Sequence, residues 1–257
     1  CRGQIEREVK SIEFMNNENI PCPVILCHDC SKKDIGKKYM LQEFIDSDLL
    51  WEIKDTLTSD EREYVKMQIT DIMNKMKNIK SDYFGDIYEN GTIGQYSTWK
   101  EAYSVMWKLL IEDAVTLSIF RLKEVHTVSS VLETALNQIG SSYFASFNHG
   151  DLGKHNVLTG YRGKYRCIGT VIDFGNSIFT PFYMNEDGMR KYGGWDLETL
   201  DICKKYHISK IEYDTNNLVF DFEGTLFAAM LQMKIGKDPR PHIEKFLENC
   251  RHYMQTN

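Results

Sequence analysis

Two short apolar runs constrain this chain more than any other stretch. Val157-Leu158 and residues 167–172 can pair as a hairpin through the polar turn at 161–164. Directly before the first run stands His149-Gly150-Asp151-Leu152-Gly153-Lys154-His155-Asn156, and directly after the second stands Asp173-Phe174-Gly175. Pairing the strands brings Asn156 and Asp173 to one end of the hairpin, with Asp151 five residues before Asn156. An amide oxygen and a carboxylate in one place can hold a divalent metal, and a further carboxylate can orient and deprotonate a hydroxyl. Phosphoryl transfer from magnesium-bound ATP can use this set of groups.

An Asp and an Asn at this spacing also recur by chance in solvated loops. Three further features favour the chemical reading: His149 two residues before the Asp, apolar strands on both sides, and Asp173 lying 22 residues beyond Asp151. Composition agrees with a folded globular chain. The 257 residues can bury a full core, and 42% hydrophobic with 26% charged residues is ordinary for a globular chain. Lys and Arg number 31 against 37 Asp and Glu, and no basic tract or stripe occurs, which argues against nucleic acid as a partner. No apolar run approaches the length of a membrane span.

Along the chain, the apolar positions Ile5, Val9, Ile12 and Phe14 predict a helix ending near Asn16-Asn17, broken by Pro21 and Pro23. Strands are expected over 24–26 and 38–45, and a short helix over 49–53. Thr58-Ser59-Asp60-Glu61 and Thr98-Trp99-Lys100-Glu101 are capping boxes that open two long helices. Tyr64, Val65, Ile69, Ile72, Met73 and Met76 would be the buried stripe of the first, and Ala102, Val105, Leu109, Ala114 and Leu117 that of the second. A further helix is expected over 128–139, a strand over 144–147, and helices over 197–206, 218–235 and 242–253.

Residues 149–158 with 171–177 resemble the aminoglycoside phosphotransferase and choline kinase-like family, a small-molecule branch of the protein-kinase-like fold. The similarity extends upstream: Arg7-Glu8-Val9, Ile20-Pro21-Cys22-Pro23-Val24 and Tyr39-Met40-Leu41-Gln42-Glu43-Phe44-Ile45 look like that family's glutamate-bearing helix, next strand and interlobe hinge. The resemblance implies that Asp151 is the catalytic carboxylate, that Asn156 and Asp173 bind Mg²⁺, and that His149 holds the loop shape. Gln42, Glu43, Phe44 and Ile45 would border the adenine of ATP or GTP, with backbone groups of Glu43 and Ile45 making the hydrogen bonds. Glu8 would pair with the lysine that grips the phosphates, and that lysine is missing from this sequence, as is the glycine-rich loop. Either these lie upstream of Cys1 or the protein lacks them and is an impaired phosphotransferase; the intact Asp151, Asn156 and Asp173 favour the first.

A second departure follows Asp173, where the family commonly shows Gly-Asp-Pro and another Asp. Here Thr180-Pro181-Phe182-Tyr183-Met184 keeps the Pro and Tyr only. Between Asp196 and Glu223, seven acids face three lysines. In the resembling enzymes acidic residues receive substrate amino groups, and Asp196, Asp201 and Glu223 are the candidates here, beside the plainer account of solvated helix faces. Cys27-His28-Asp29-Cys30 could be half a metal or redox site, but no partner pair follows at zinc spacing, so a structural role is expected. Lys154 and His155 could touch a phosphate or be exposed without a role; Trp99, Trp107, Met67, Met73 and Met76 are expected in the core.

The expected architecture is α+β: a two-lobed protein-kinase-like fold with a mainly helical C-terminal lobe and an N-terminal β-lobe that is incomplete in this chain. Residues 1–45 would be the remainder of the nucleotide-binding lobe and hinge, and 46–257 the catalytic and substrate-binding lobe. The expected function is ATP- and Mg²⁺-dependent transfer of the γ-phosphoryl group to a hydroxyl of a small, cationic acceptor, an aminoglycoside antibiotic first. A family kinase for choline, a sugar, a macrolide or an amino alcohol, or a non-catalytic relative, would share these motifs. Neither nucleic acid nor membrane is expected as a partner, and the state would be monomer or small homo-oligomer. Seven irregularly spaced cysteines point to a reduced, cytoplasmic setting.

Overall fold

The computed structural model describes residues 4–86, 94, 96–140, 143–184 and 202–256. The chain divides into two compact units, 1–97 with 143–200 and 98–142 with 201–257.

The first unit holds the hairpin. Helix α1, Gln4–Asn17, buries Val9, Ile12 and Met15 and sets Phe14 edge-on against Phe147 and Phe179 at 6.1 and 5.9 Å between ring centroids. Strands β1, Ile25–Asp29, and β2, Tyr39–Gln42, form a two-stranded antiparallel sheet whose Leu26 and Leu41 side chains are exposed, as is the preceding Val24. The second strand stops at Gln42 and does not run to Ile45. Glu43 still donates its N–H to Val24, but Val24 donates back to the Glu43 carboxylate, so a side chain replaces the next backbone rung.

Next come β3, Asp48–Leu49, α2, Leu50–Ile53, and α3, Ser59–Asn78. The capping box of α3 forms as its sequence predicts: Glu61 donates its N–H to Thr58 Oγ1 at 3.3 Å and its carboxylate accepts from Thr58 N at 3.0 Å. The predicted stripe is buried from Val65 to Met76, while Met67 faces out. Strands β4, Lys80–Ser81, β5, Gly85–Asp86, β6, Ala145–Asn148, and β9, Ile178–Pro181, make a sheet in the order β4-β6-β9-β5. Strands β7, Val157–Arg162, and β8, Tyr165–Val171, are the expected hairpin, joined to β3. Val157 pairs with Val171, so the residues flanking both ends of that pair are brought together.

The second unit is helical: α4, Trp99–Thr116, α5, Leu122–Gln138, α6, Ile202–Tyr206, α7, Lys210–Lys234, and α8, Arg240–Thr256. The α4 capping box is present and Trp99 and Trp107 are buried as expected, yet the rest of the buried face differs from the expected stripe. Trp99, Tyr103 and Trp107 take the core with Ala102 and Ala114, and Leu109 and Leu117 are exposed. The aromatic rings win because each also finds a polar partner. Trp99 Nε1 donates to Asn216 Oδ1 at 2.7 Å, Tyr103 Oη to the Thr215 carbonyl at 2.9 Å, and Trp107 Nε1 to the Val128 carbonyl at 3.1 Å. Phe120, Phe222 and Phe246 stack on one another, and Trp107 tilts against Phe222 and Phe246.

Helix α5 starts six residues before the expected position. Arg121 caps it through its backbone: Arg121 N donates to Glu124 Oε2 at 2.8 Å, and that buried carboxylate is then neutralised by Arg240 at 2.7 and 3.2 Å. Helix α7 likewise begins earlier than expected, at Lys210, capped by Ser209, whose hydroxyl accepts from Glu212 N. Among the described residues no helix is long and apolar enough to cross a membrane.

Candidate functional site

The site starts where β6 ends. Asn148 Oδ1 accepts the Gly150 N–H at 3.0 Å and turns the chain out of the sheet. His149 then points inward and is fully buried, its ring 4.7 Å from that of Phe174. Nε2–H donates to the Ile172 carbonyl at 3.1 Å, and Nδ1 accepts from Asp151 N at 3.3 Å. One nitrogen must carry the proton and the other must not, so the two contacts fix a single neutral tautomer. Burial pushes the pKa of His149 down to about 4, against smaller upward pulls from the Ile172 carbonyl and from Asp151 and Asp173. His149 thus ties the loop before Asp151 to the strand end before Asp173.

Gly150 adopts φ +80°, and a Cβ there would stand 2.1 Å from the Asn176 carbonyl oxygen. Only glycine lets the two loops approach this closely. After Asp151 the chain folds back on itself: the Asp151 carbonyl accepts from Gly153 N and from Asn156 Nδ2, both at 2.8 Å. Asn156 Nδ2 also lies 3.3 Å from Asp151 Oδ2. With its amide nitrogen committed to Asp151, Asn156 has its amide oxygen left to offer a cation.

Ile172 N donates to the Asn156 carbonyl at 3.0 Å, which extends the hairpin pairing by one rung and sets Asp173 beside Asn156 in the fold. Asp173 sits at φ 62°, ψ 64°, a left-handed conformation that costs energy for a non-glycine residue and is held by the buried Phe174 that follows. Arg7 Nη1 donates to the Gly175 carbonyl at 3.2 Å while Nη2 meets Asp86 at 3.3 Å, which fixes α1 against this turn. One residue on, Glu8 accepts a hydrogen bond from the Phe174 backbone. Its carboxyl is held above the usual range, first by burial and then by the negative charge of Asp173.

The predicted Glu8, His149, Asp151, Asn156 and Asp173 are therefore drawn together by α1, the loop after β6 and the turn after β8. The Asp173 charge is unfavourable to a charged Glu8, and oxygen ligands such as the Asn156 amide and the Asp173 carboxylate are of the kind that suits a hard divalent ion such as Mg²⁺. The segment 42–45 lies at the end of β2: Glu43 is fixed to Val24 by two hydrogen bonds, Phe44 is 90% exposed, and Gln42 Oε1 is buried with no partner among the described residues. Glu223 is exposed on α7 in the other unit, and Asp196 and Asp201 lie outside the described residues. Cys27 is exposed on β1, and Cys30 Sγ lies 4.0 Å from His28 Nδ1.

Two residues, Arg7 and His155, take contacts in the structure that the sequence did not indicate. Arg7 had a visible signal, its place beside Glu8, but its contacts with Gly175 and Asp86 are long-range. His155 meets Asp151 Oδ1 with Nε2 at 3.2 Å. The spacing of four residues was the available clue.

A family model described as a phosphotransferase enzyme family matches residues 2–184. No curated protein matches the chain by sequence. Among solved structures, similarity extends to a thermostable variant of aminoglycoside phosphotransferase APH(4)-Ia in ternary complex with ADP and hygromycin B, at TM-score 0.59 and 14% identity over 92% of this chain and 77% of that one. It extends also to the gentamicin complex of APH(2")-IIa, at 0.59 and 13% over 96% and 80%. The GDP complex of aminoglycoside 2'-phosphotransferase-IIIa gives 0.59 and 12% over 99% and 82%. At these identities the likeness is one of fold, the α+β protein-kinase-like fold.

Proposed function

Because the chain belongs to the phosphotransferase enzyme family, we propose that it is a small-molecule kinase moving the γ-phosphoryl group of ATP or GTP to a hydroxyl of a cationic acceptor. The observation that carries this reading is the convergence of Asp151, Asn156 and Asp173 around one loop-to-loop contact, with Glu8 facing Asp173. Asp151 orients the acceptor hydroxyl. As that oxygen bonds to the γ-phosphorus and the bond to the β–γ bridging oxygen breaks, the hydroxyl proton passes to Asp151 and the nucleoside diphosphate leaves. Asn156 and Asp173 would hold Mg²⁺, which when bound neutralises charge on the phosphates. His149 touches no reactant in this account and serves as a positioning residue.

We put the lobe boundary near residue 45, with 42–45 as the hinge, as the family resemblance implies. The N–H of Glu43 is already used by Val24, which leaves its carbonyl for the adenine amino group, and Ile45 N–H would donate to the ring. Asp196, Asp201 and Glu223 are proposed to receive acceptor amino groups. An aminoglycoside is the first candidate, supported by the family and by the hygromycin B and gentamicin bound in two proteins of the same fold. The test is ADP or GDP release with Mg²⁺ across aminoglycosides, macrolides, choline and small sugars. Release that depends on an aminoglycoside is expected; release with choline alone would reassign the acceptor, and no nucleotide binding at all would sink the proposal.

A further inference from the structure

Asp151 must present one oxygen to a hydroxyl in a fixed direction, yet its side chain is 36% exposed and its terminal torsion is intrinsically broad. The fold supplies one partner for each oxygen: Asn156 Nδ2 at 3.3 Å from Oδ2 and His155 Nε2 at 3.2 Å from Oδ1. A carboxylate can only accept, so His155 Nε2 carries the proton in this contact. The ring reaches Asp151 because residues Lys154–Asn156 form a single tight turn that places position 155 over position 151. It also needs Gly153, where a Cβ would stand 2.2 Å from His155 Cε1 and 2.5 Å from Nδ1. The backbone of Gly153 has φ −95°, open to any residue, so a larger residue there would displace the His155 ring and would not strain the backbone.

We propose that His155 is a positioning residue for the phosphoryl-transfer base, aligning the Asp151 carboxylate, with Gly153 as the vacancy that seats its ring. His155 takes no proton from the acceptor and contacts no phosphate in this role. The proposal rests on the phosphotransferase reading of Asp151. It also predicts a signature that mere packing would not give. An ion pair or hydrogen bond this exposed contributes little to stability, whereas misaligning a reacting group by a fraction of an ångström to an ångström can slow the chemical step up to about a hundredfold.

The test is steady-state nucleoside diphosphate release by the whole protein with Mg²⁺ and ATP, using kanamycin, gentamicin and hygromycin B as acceptors. His155→Ala is expected to lower kcat by about tenfold to a hundredfold, to leave KM for ATP and acceptor within about twofold, and to leave Tm almost unchanged. His155→Gln, which keeps an N–H at a similar reach, should recover most of the loss. Gly153→Ala should reproduce the loss in the wild type and add nothing in His155→Ala, since both remove one interaction. Wild-type kcat in His155→Ala, a loss confined to KM, or a fall that Gln does not recover would each overturn the proposal. A wild type that neither turns over nor binds nucleotide would defeat the phosphotransferase reading itself. The positioning role would fall with it, although the ring-nitrogen resonances of His155, compared between wild type and Asp151→Asn, would still report whether the contact exists.

Discussion

His149 shows how one side chain can make the site depend on pH without taking part in the reaction. Its folded-state pKa lies near 4, below the ordinary value of 6.5, because burial disfavours the imidazolium. Between those two values the unfolded chain binds a proton that the folded protein does not, so stability is lost as pH falls from 6.5 towards 4. The loss amounts to roughly 3 kcal/mol if the whole shift is realised. Urea unfolding at pH 7 and pH 5 should show this slope in the wild type and a flatter one in His149→Asn. At this scale the meeting of Asp151, Asn156 and Asp173 was legible, because the apolar strands between them fix the register that brings them together. Glu8 was legible through resemblance alone. The contact of His155 with Asp151 was not, because it depends on a tight turn and on the space left by Gly153, neither of which a residue count reveals.

Helices were legible where polar residues mark their ends. Thr58 and Thr98 each sit three residues before a glutamate, and both boxes form. The start of α5 was hidden because Arg121 is not a customary capping residue and the exposed Leu122 breaks the apolar period. The face of α4 was misjudged for a different reason. Periodicity treats Leu109 and Trp107 alike, but Trp107 offers more apolar area and an N–H that the Val128 carbonyl satisfies. Its ring lies 5.2 Å from that of Phe222 in the middle of the helical unit. Trp107→Ala should therefore cost about 3–5 kcal/mol of unfolding free energy, read from the denaturant midpoint. By contrast Leu109→Ala, exposed on the same helix, should cost well under 1 kcal/mol beyond its small propensity difference.

For the molecule as a whole, the family assignment and the α+β protein-kinase-like fold follow from a match over residues 2–184 and from solved structures that share less than a sixth of their residues with this chain. Such a fold persists at low identity because it needs apolar pattern, caps and a few fixed loops, while acceptor recognition varies freely around them. That is why the phosphotransferase class is readable from the sequence, whereas the candidates for meeting an acceptor rest on charge and resemblance, with two of the three outside the described residues. The central claim is that Asp151 is the carboxylate through which a γ-phosphoryl group reaches an acceptor hydroxyl. It is tested most directly by following radiolabelled γ-phosphate from ATP to kanamycin, gentamicin or hygromycin B, in the wild type and in Asp151→Asn, with nucleotide affinity measured alongside. The account predicts labelled acceptor from the wild type, a fall of about a hundredfold to ten-thousandfold in the variant, and similar nucleotide affinity in both. Transfer by Asp151→Asn at the wild-type rate would contradict it.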